Sequence, residues 1–146
     1  MIYTELTNRA LRLAYKAHEG QYDRAGIPYV FHPLHMAEQM TDETATCVAL
    51  LHDVVEDTQM SMEELAEEFP EEVIEALHLL TREPGTDYYD YIRNLSGNPV
   101  AKAVKLADLA HNSDETRFAG CDYIPEEQLE RWRRKYSKAK VILGEE

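Results

Sequence analysis

The densest group of ionisable residues in the chain is the segment His52-Asp53-Val54-Val55-Glu56-Asp57, which directly follows a run of apolar residues. Charged side chains are rarely buried unless they are paired or bound to a metal ion. If one helix continues through this segment, spacings of three and four residues place its four ionisable side chains on one broad face. Three carboxylates on one face repel one another, so the arrangement needs a cation. A solvated acidic helix end is the alternative interpretation.

Two further segments place single polar residues among apolar ones. His32 stands just before Pro33, at the predicted start of a helix, and Asp108 lies inside an otherwise apolar helix. Lys105, Asp108 and Asn112 share one face of that helix. Taken singly, His32 fits a half-exposed histidine at a helix start, and Lys105 with Asp108 fits an ordinary ion pair. The three segments together offer two imidazoles and two carboxylates, which suit manganese, iron or zinc. Such a metal makes a nucleophile of water by lowering its pKa.

The elements that must position these residues are all predicted to be helices, because every apolar repeat has a helical period. Caps and prolines mark the ends of the helices. We predict a helix that Thr4 caps and Gly20 stops, one from Pro33 to about 40, and one capped by Asp42 that runs from 43 to about 56. A fourth follows the capping box of Ser61 and Glu64 and is broken or restarted at Pro70. The last three run over 88–95 after a cap at Thr86 or Asp87, from Asn98-Pro99 to about 112, and from Pro125 to about 142. The third helix of the chain is apolar nearly all round and is therefore expected at the centre. The sequence thus predicts a single all-α domain of about seven helices spanning residues 1–146.

The charge of the chain limits its partners. Lys and Arg number 15 and Asp and Glu 28, for a net charge of −13 over 146 residues. This disfavours nucleic acid and anionic membranes as partners, but a metal or a few cations can still hold a phosphorylated small molecule. No apolar run approaches the roughly 20 residues of a membrane helix. The two cysteines, Cys47 and Cys121, offer no disulfide framework, so we expect a cytoplasmic protein. The sequence leaves a protein partner open.

These motifs resemble a known family. His32, His52-Asp53 and Asp108 match the H…HD…D pattern of the HD metal-dependent phosphohydrolase superfamily. The match extends to the hydrolase domain of the RelA/SpoT-homologue family, whose motifs it resembles in order along the chain. The matching stretches are AHEGQ at 17–21, GIPYVFHP at 26–33, LLHDVVEDT at 50–58, KLAD at 105–108 and HN at 111–112.

The resemblance implies an HD-type helical domain that hydrolyses the 3′-pyrophosphate of (p)ppGpp with manganese, giving GDP or GTP and pyrophosphate. It implies that Glu56 and Asp57 position or deprotonate the attacking water. Asn112 would contact the nucleotide, and Arg24 and Lys105 are candidates for phosphate or base contacts. One metal ion would be bound by four ligands, which are His32, His52, Asp53 and Asp108. The chain length suggests a stand-alone hydrolase.

Two positions depart from the family pattern. Asp23-Arg24 stands where the family commonly has a basic pair, and Leu109 stands where it commonly has arginine. These changes keep open a different nucleotide substrate, or a non-catalytic nucleotide sensor. If alarmone hydrolysis is merely weakened, arginine at either position should raise turnover.

The last helix carries six basic residues between Arg131 and Lys140. Nucleic-acid binding is one interpretation of these charges, but we favour the interpretation that they offset the acidic body of the protein. They could also lend cations to the mouth of the active site.

Overall fold

The computed structural model describes residues 1–144, which form nine α-helical segments and one 3-10 turn. The helices are α1 (Glu5–Ala17), α2 (Phe31–Glu38), α3 (Glu43–Leu51), α4 (Val54–Asp57), α5 (Met62–Ala66), α6 (Glu71–Leu80), α7 (Tyr88–Leu95), α8 (Pro99–Asn112) and α9 (Glu126–Ile142), and the 3-10 turn is Glu115–Phe118. The predicted all-α class is confirmed.

Local capping chemistry sets most helix starts. Thr4 caps α1, and Ser61 caps α5 in a reciprocal capping box with Glu64. The side chains of Asp42, Asp87 and Asn98 accept backbone N–H groups at the starts of α3, α7 and α8. These bonds satisfy donors that have no partner inside the helix. The predicted starts of these five helices are therefore confirmed.

Helix α3 lies at the centre of the fold. All residues from Ala45 to Leu51 are buried, and α1, α2, α6 and α8 pack around it. A helix without a polar face can be stable only when neighbours cover it on every side. The central position of α3 places its carboxyl end, and the residues that follow, between α2 and α8.

Two predicted boundaries were wrong. The helix predicted over 43–56 is interrupted at His52 and Asp53, where Asp53 adopts φ −106° and ψ 0°. The four ionisable residues therefore do not share one continuous helix face. The helix predicted to start at Pro33 begins two residues earlier, at Phe31. Proline is tolerated there because first-turn N–H groups have no partner within the helix.

None of the helices described for residues 1–144 combines the length and apolar character that are needed to cross a lipid bilayer.

Candidate functional site

Three separate parts of the chain meet beside the carboxyl end of α3. His32 comes from the first turn of α2, His52 and Asp53 from the break between α3 and α4, and Asp108 from α8. Nε2 of His32 lies 2.8 Å from Oδ1 of Asp108, and Nε2 of His52 lies 2.9 Å from Oδ2 of Asp53. The structure thus brings together the four residues that the sequence proposed as a metal site.

The orientation of His52 leaves one ring nitrogen aimed into this cluster. Its Nδ1–H donates to the carbonyl of Ala49 at 2.7 Å, which directs Nε2 toward the carboxylates of Asp53 and Asp108. Nε2 is buried and has no partner at hydrogen-bonding geometry. A buried nitrogen of this kind, next to two carboxylates, is what a metal ion would coordinate.

The charges of the cluster favour ionised carboxylates. Burial opposes ionisation, but Lys105 and the two histidines hold the pKa of Asp108 well below its usual value. His52 likewise lowers the pKa of Asp53. Burial alone would lower the pKa of His52, but Asp53 and Asp108 raise it to about 10. A bound cation would therefore take the place of a proton on this ring.

The donor set fits a divalent metal ion. Ligand atoms of His32, His52 and Asp53 lie within 4.8 Å of one another, and Oδ1 of Asp108 is within 3.7 Å of both imidazoles. The other oxygen of Asp108 accepts from Lys105 Nζ at 2.7 Å. Two imidazoles and two carboxylates in one buried cluster suit a first-row transition metal.

Two neighbouring aromatic side chains hold these ligands in place. The hydroxyl of Tyr29 donates a hydrogen bond to Asp53, and burial together with Asp53 raises the pKa of Tyr29 so that it stays protonated. The ring of His111 stacks on that of His32, and their Nδ1 atoms are 2.6 Å apart. This contact leaves Nε2 of His32 facing Asp108. Sequence reasoning noted Tyr29 and His111 in the motifs but assigned neither to the metal ligands.

Glu56 and Asp57 lie on α4, directly after the cluster, and both are exposed at the surface. Oε1 of Glu56 accepts the backbone N–H of Arg82 at 2.9 Å, and the backbone oxygen of Asp57 accepts from Gln21 Nε2 at 2.8 Å. Neighbouring protein atoms nevertheless keep part of the solvent from these carboxyl groups, and this desolvation, reinforced by the charge of Asp53, raises the pKa of both above their usual values. Both groups therefore take up protons more readily than ordinary surface carboxyls, which suits proton transfer.

An aromatic cavity of about 170 Å³ opens beside the cluster, with His32 on its wall. Its other walls combine flat rings with cations and amides, which suits a heterocyclic ring bearing anionic groups. The lining residues are Asp23, Arg24, Ala25, Tyr29, His32, Asn112, Arg117, Phe118, Trp132 and Tyr136. Of the three predicted substrate contacts, Arg24 and Asn112 lie in this cavity, whereas Lys105 instead pairs with Asp108.

Arg117 is a cavity residue that sequence reasoning missed, and it changes the interpretation of Asp23. Its guanidinium lies 3.2 Å from Oδ2 of Asp23, while Oδ1 of Asp23 accepts the N–H groups of Ala25 and Ile27. The acid at position 23 is therefore paired and shapes its own loop. No local signal pointed to Arg117, because its partner lies 94 residues away.

Leu109, the second departure, does not face the cavity. Its side chain is fully buried in the apolar core. An arginine here would enter the core, so the expectation that Leu109→Arg raises turnover is not supported by the structure.

Comparison with known proteins assigns the family. A model described as "HD domain" matches residues 10–133. The chain belongs to the HD domain family. Members of this family that act as hydrolases bind divalent metal ions, and the cluster of His32, His52 and Asp53 in this HD domain is a possible site for one.

Several curated relatives are longer proteins. One from Borreliella burgdorferi, named guanosine-3′,5′-bis(diphosphate) 3′-pyrophosphohydrolase, is 32% identical over 140 residues, which is 84% of this chain and 20% of the relative. One of the same name from Haemophilus influenzae is 35% identical over 115 residues, or 68% of this chain and 17% of the relative. A GTP pyrophosphokinase from Myxococcus xanthus is 30% identical over 126 residues, which is 74% of this chain and 17% of the relative. The chain spans about a fifth of the length of these relatives or less.

One solved structure has the same fold as this chain over nearly the whole length of this chain. It is a metazoan orthologue of SpoT that hydrolyses ppGpp, with a TM-score of 0.84 and 24% identity over 98% of this chain and 88% of that chain. The single HD-type helical fold is thus common to both proteins.

Proposed function

We propose that this HD domain hydrolyses the 3′-pyrophosphate of ppGpp and pppGpp, releasing GDP or GTP and pyrophosphate. The observation that carries the proposal is the buried cluster of His32, His52, Asp53 and Asp108, which has an unpartnered imidazole nitrogen and lies beside an aromatic cavity. The relatives named as pyrophosphohydrolases support the substrate, as does the solved ppGpp hydrolase, which this chain matches over most of its length.

We assign the four residues of the cluster as ligands of one metal ion, which we propose to be manganese. When bound, the ion supplies a Lewis acid that lowers the pKa of water and stabilises negative charge on phosphoryl oxygens. Lys105 holds one oxygen of Asp108, and Tyr29 holds Asp53, so both carboxylates are oriented before the ion binds. Oriented ligands bind a metal more tightly because less order is lost on binding.

We assign the removal of a proton from the attacking water to Glu56 and Asp57. Each carboxylate stands within one helical turn of Asp53, and each has a raised pKa. A base is most effective when its pKa approaches the working pH, so the raised values favour removal of a proton from water. The diphosphate passes to that water as the bond between phosphorus and the 3′ oxygen breaks, and the proton that a carboxylate took from the water is delivered to the departing 3′ oxygen, which becomes a hydroxyl.

The aromatic cavity is assigned to the guanine nucleotide. Trp132 and Tyr136 offer ring faces, and Arg24 and Arg117 offer cations for the phosphates. Asn112 links the two parts of the site, because its amide donates to Asp108 at 3.1 Å and also lines the cavity. Lys105 acts through Asp108 in this proposal.

The test is product analysis by anion-exchange chromatography. Purified protein with manganese is given ppGpp beside a panel of ordinary nucleotides. Asp53→Ala is compared with Glu75→Ala, which removes an exposed carboxylate in the middle of α6. We expect GDP and pyrophosphate from ppGpp, lost in Asp53→Ala and retained in Glu75→Ala. Consumption of another nucleotide, with ppGpp intact, would reject the substrate but keep the metal chemistry. Nucleotide binding without turnover would favour a sensor.

We further propose that residues 1–146 act as one domain and that the protein is cytoplasmic. Cys47 and Cys121 are both free thiols, as a reducing compartment favours. Fusion of the chain to a fluorescent protein, imaged in its own cell, tests the location.

A further inference from the structure

Three cations from three elements surround the ring of Tyr88. Nζ of Lys135, from α9, lies 4.3 Å from the ring centre, Nζ of Lys105, from α8, lies 5.8 Å away, and Cζ of Arg82, just after α6, lies 5.7 Å away. All three are within cation–π range of one ring. This cation cluster of Arg82, Lys105 and Lys135 is unusual in a chain with a net charge of −13.

Within the part of the chain that the structure describes, two of the three cations form no ion pair. Lys105 pairs with Asp108, but among residues 1–144 neither Arg82 nor Lys135 forms an ion pair with a carboxylate. Partial burial and the charges of Lys105 and Arg82 lower the pKa of Lys135. Like charges held together in this way are unfavourable unless an anion joins them.

The cation cluster borders the proposed metal site and the aromatic cavity. Lys105 Nζ is 2.7 Å from Asp108, and the backbone N–H of Arg82 binds Glu56. Lys135 lies close enough to Asp108 for that carboxylate to raise its pKa against the larger lowering effects of burial and the other two cations, and the next residue, Tyr136, lines the cavity. An anionic group reaching past Asp108 would therefore meet the free ammonium group of Lys135.

We propose that Lys135 and Arg82 form an anion subsite that binds the outer phosphate of the diphosphate whose inner phosphate lies at the metal ligands. The inference rests on the proposed function, because it assumes a diphosphate substrate. Ammonium and guanidinium groups form strong charge-assisted hydrogen bonds to phosphate oxygens. The subsite would select a diphosphate over a monophosphate at the position that is cleaved.

A purely structural role for Lys135 is the competing explanation, and the chain offers a matched control for it. Lys138, one turn further along α9, stacks over Tyr89 at 4.1 Å, but Arg82 and Lys105 do not lie over that ring. Methionine at either position keeps an unbranched stem on the ring and removes one positive charge. Lys135→Met and Lys138→Met therefore remove the same charge from above a tyrosine ring on the same helix, and only Lys135, which is half-buried where Lys138 is exposed, belongs to the cation cluster.

Two measurements test the subsite. The first is the KM for ppGpp with manganese, and the second is the affinity for inorganic pyrophosphate by calorimetry without added metal. We expect Lys135→Met to raise the KM and weaken pyrophosphate binding by about tenfold each, in line with the loss of one charged hydrogen bond. Lys138→Met should match the parent in both, and circular dichroism checks that both variants fold.

The outcomes separate the subsite from the proposed function. If the parent does not hydrolyse ppGpp but binds pyrophosphate in a way that depends on Lys135, the subsite holds and the proposed function fails. If the parent hydrolyses ppGpp but the two methionine variants behave alike, the subsite is overturned. A parent that does not bind pyrophosphate without metal also overturns it.

Discussion

Leu109→Arg is expected to unfold the domain, even though an arginine at this position is common in the family that the sequence resembles. Leu109 is fully buried on α8, whereas the next residue, Ala110, is exposed on the same helix. The same substitution at the two positions therefore compares the core face with the solvent face of one helix. Ala110→Arg should be nearly neutral, because arginine is a good helix former.

The magnitude follows from the burial. Loss of the leucine contacts costs roughly 2 kcal/mol, and an unpaired guanidinium inside the core costs several kcal/mol more even after relaxation. The sum approaches the roughly 5–15 kcal/mol that stabilises a typical domain. Leu109→Met, which conserves volume, should cost less than about 1.5 kcal/mol.

Urea unfolding followed by the fluorescence of the single tryptophan, Trp132, measures these differences. We expect the Leu109→Arg protein to be unfolded or to lose most of its free energy of unfolding, and Ala110→Arg to remain within about 0.5 kcal/mol of the parent. A Leu109→Arg protein that unfolds at the parent's urea concentration and turns over ppGpp faster would refute the burial of Leu109. The residue would then belong to the substrate cavity.

Three further predictions concern the site itself. Asp57→Asn should lower turnover by about a hundredfold or more. The pKa of Asp57 is raised, so the parent should lose activity as the pH falls through that pKa and the carboxylate becomes protonated. A pH–kcat profile of the variant with the same loss of activity at low pH would contradict the assignment. Tyr29→Phe should weaken manganese binding by about tenfold to a hundredfold in calorimetry, since it removes the hydrogen bond to Asp53, whereas equal affinity would exclude an orienting role. Arg117→Ala should raise the KM for ppGpp by about tenfold with kcat little changed, and an unchanged KM would limit Arg117 to its ion pair with Asp23.

The sequence alone was sufficient for most of the helix starts and for the side chains that meet in the buried cluster. Caps such as Thr4 and Asp42 act on N–H groups within three residues, so their effect can be predicted without knowing the fold. The residue types His32, His52-Asp53 and Asp108 likewise predicted which side chains would meet, because isolated polar residues among apolar ones need partners.

Tertiary structure alone decided how those side chains meet and what surrounds them. The helix breaks at His52 and Asp53, and both residues face α8. The periodicity of apolar residues does not predict such a break. The pairing of Asp23 with Arg117 joins residues 94 positions apart. Such contacts depend on how whole helices pack, whereas sequence periodicity reports only neighbours within about one turn. For the same reason, only the packing of α6, α7, α8 and α9 determines that Leu109 is buried and that the cation cluster surrounds the ring of Tyr88.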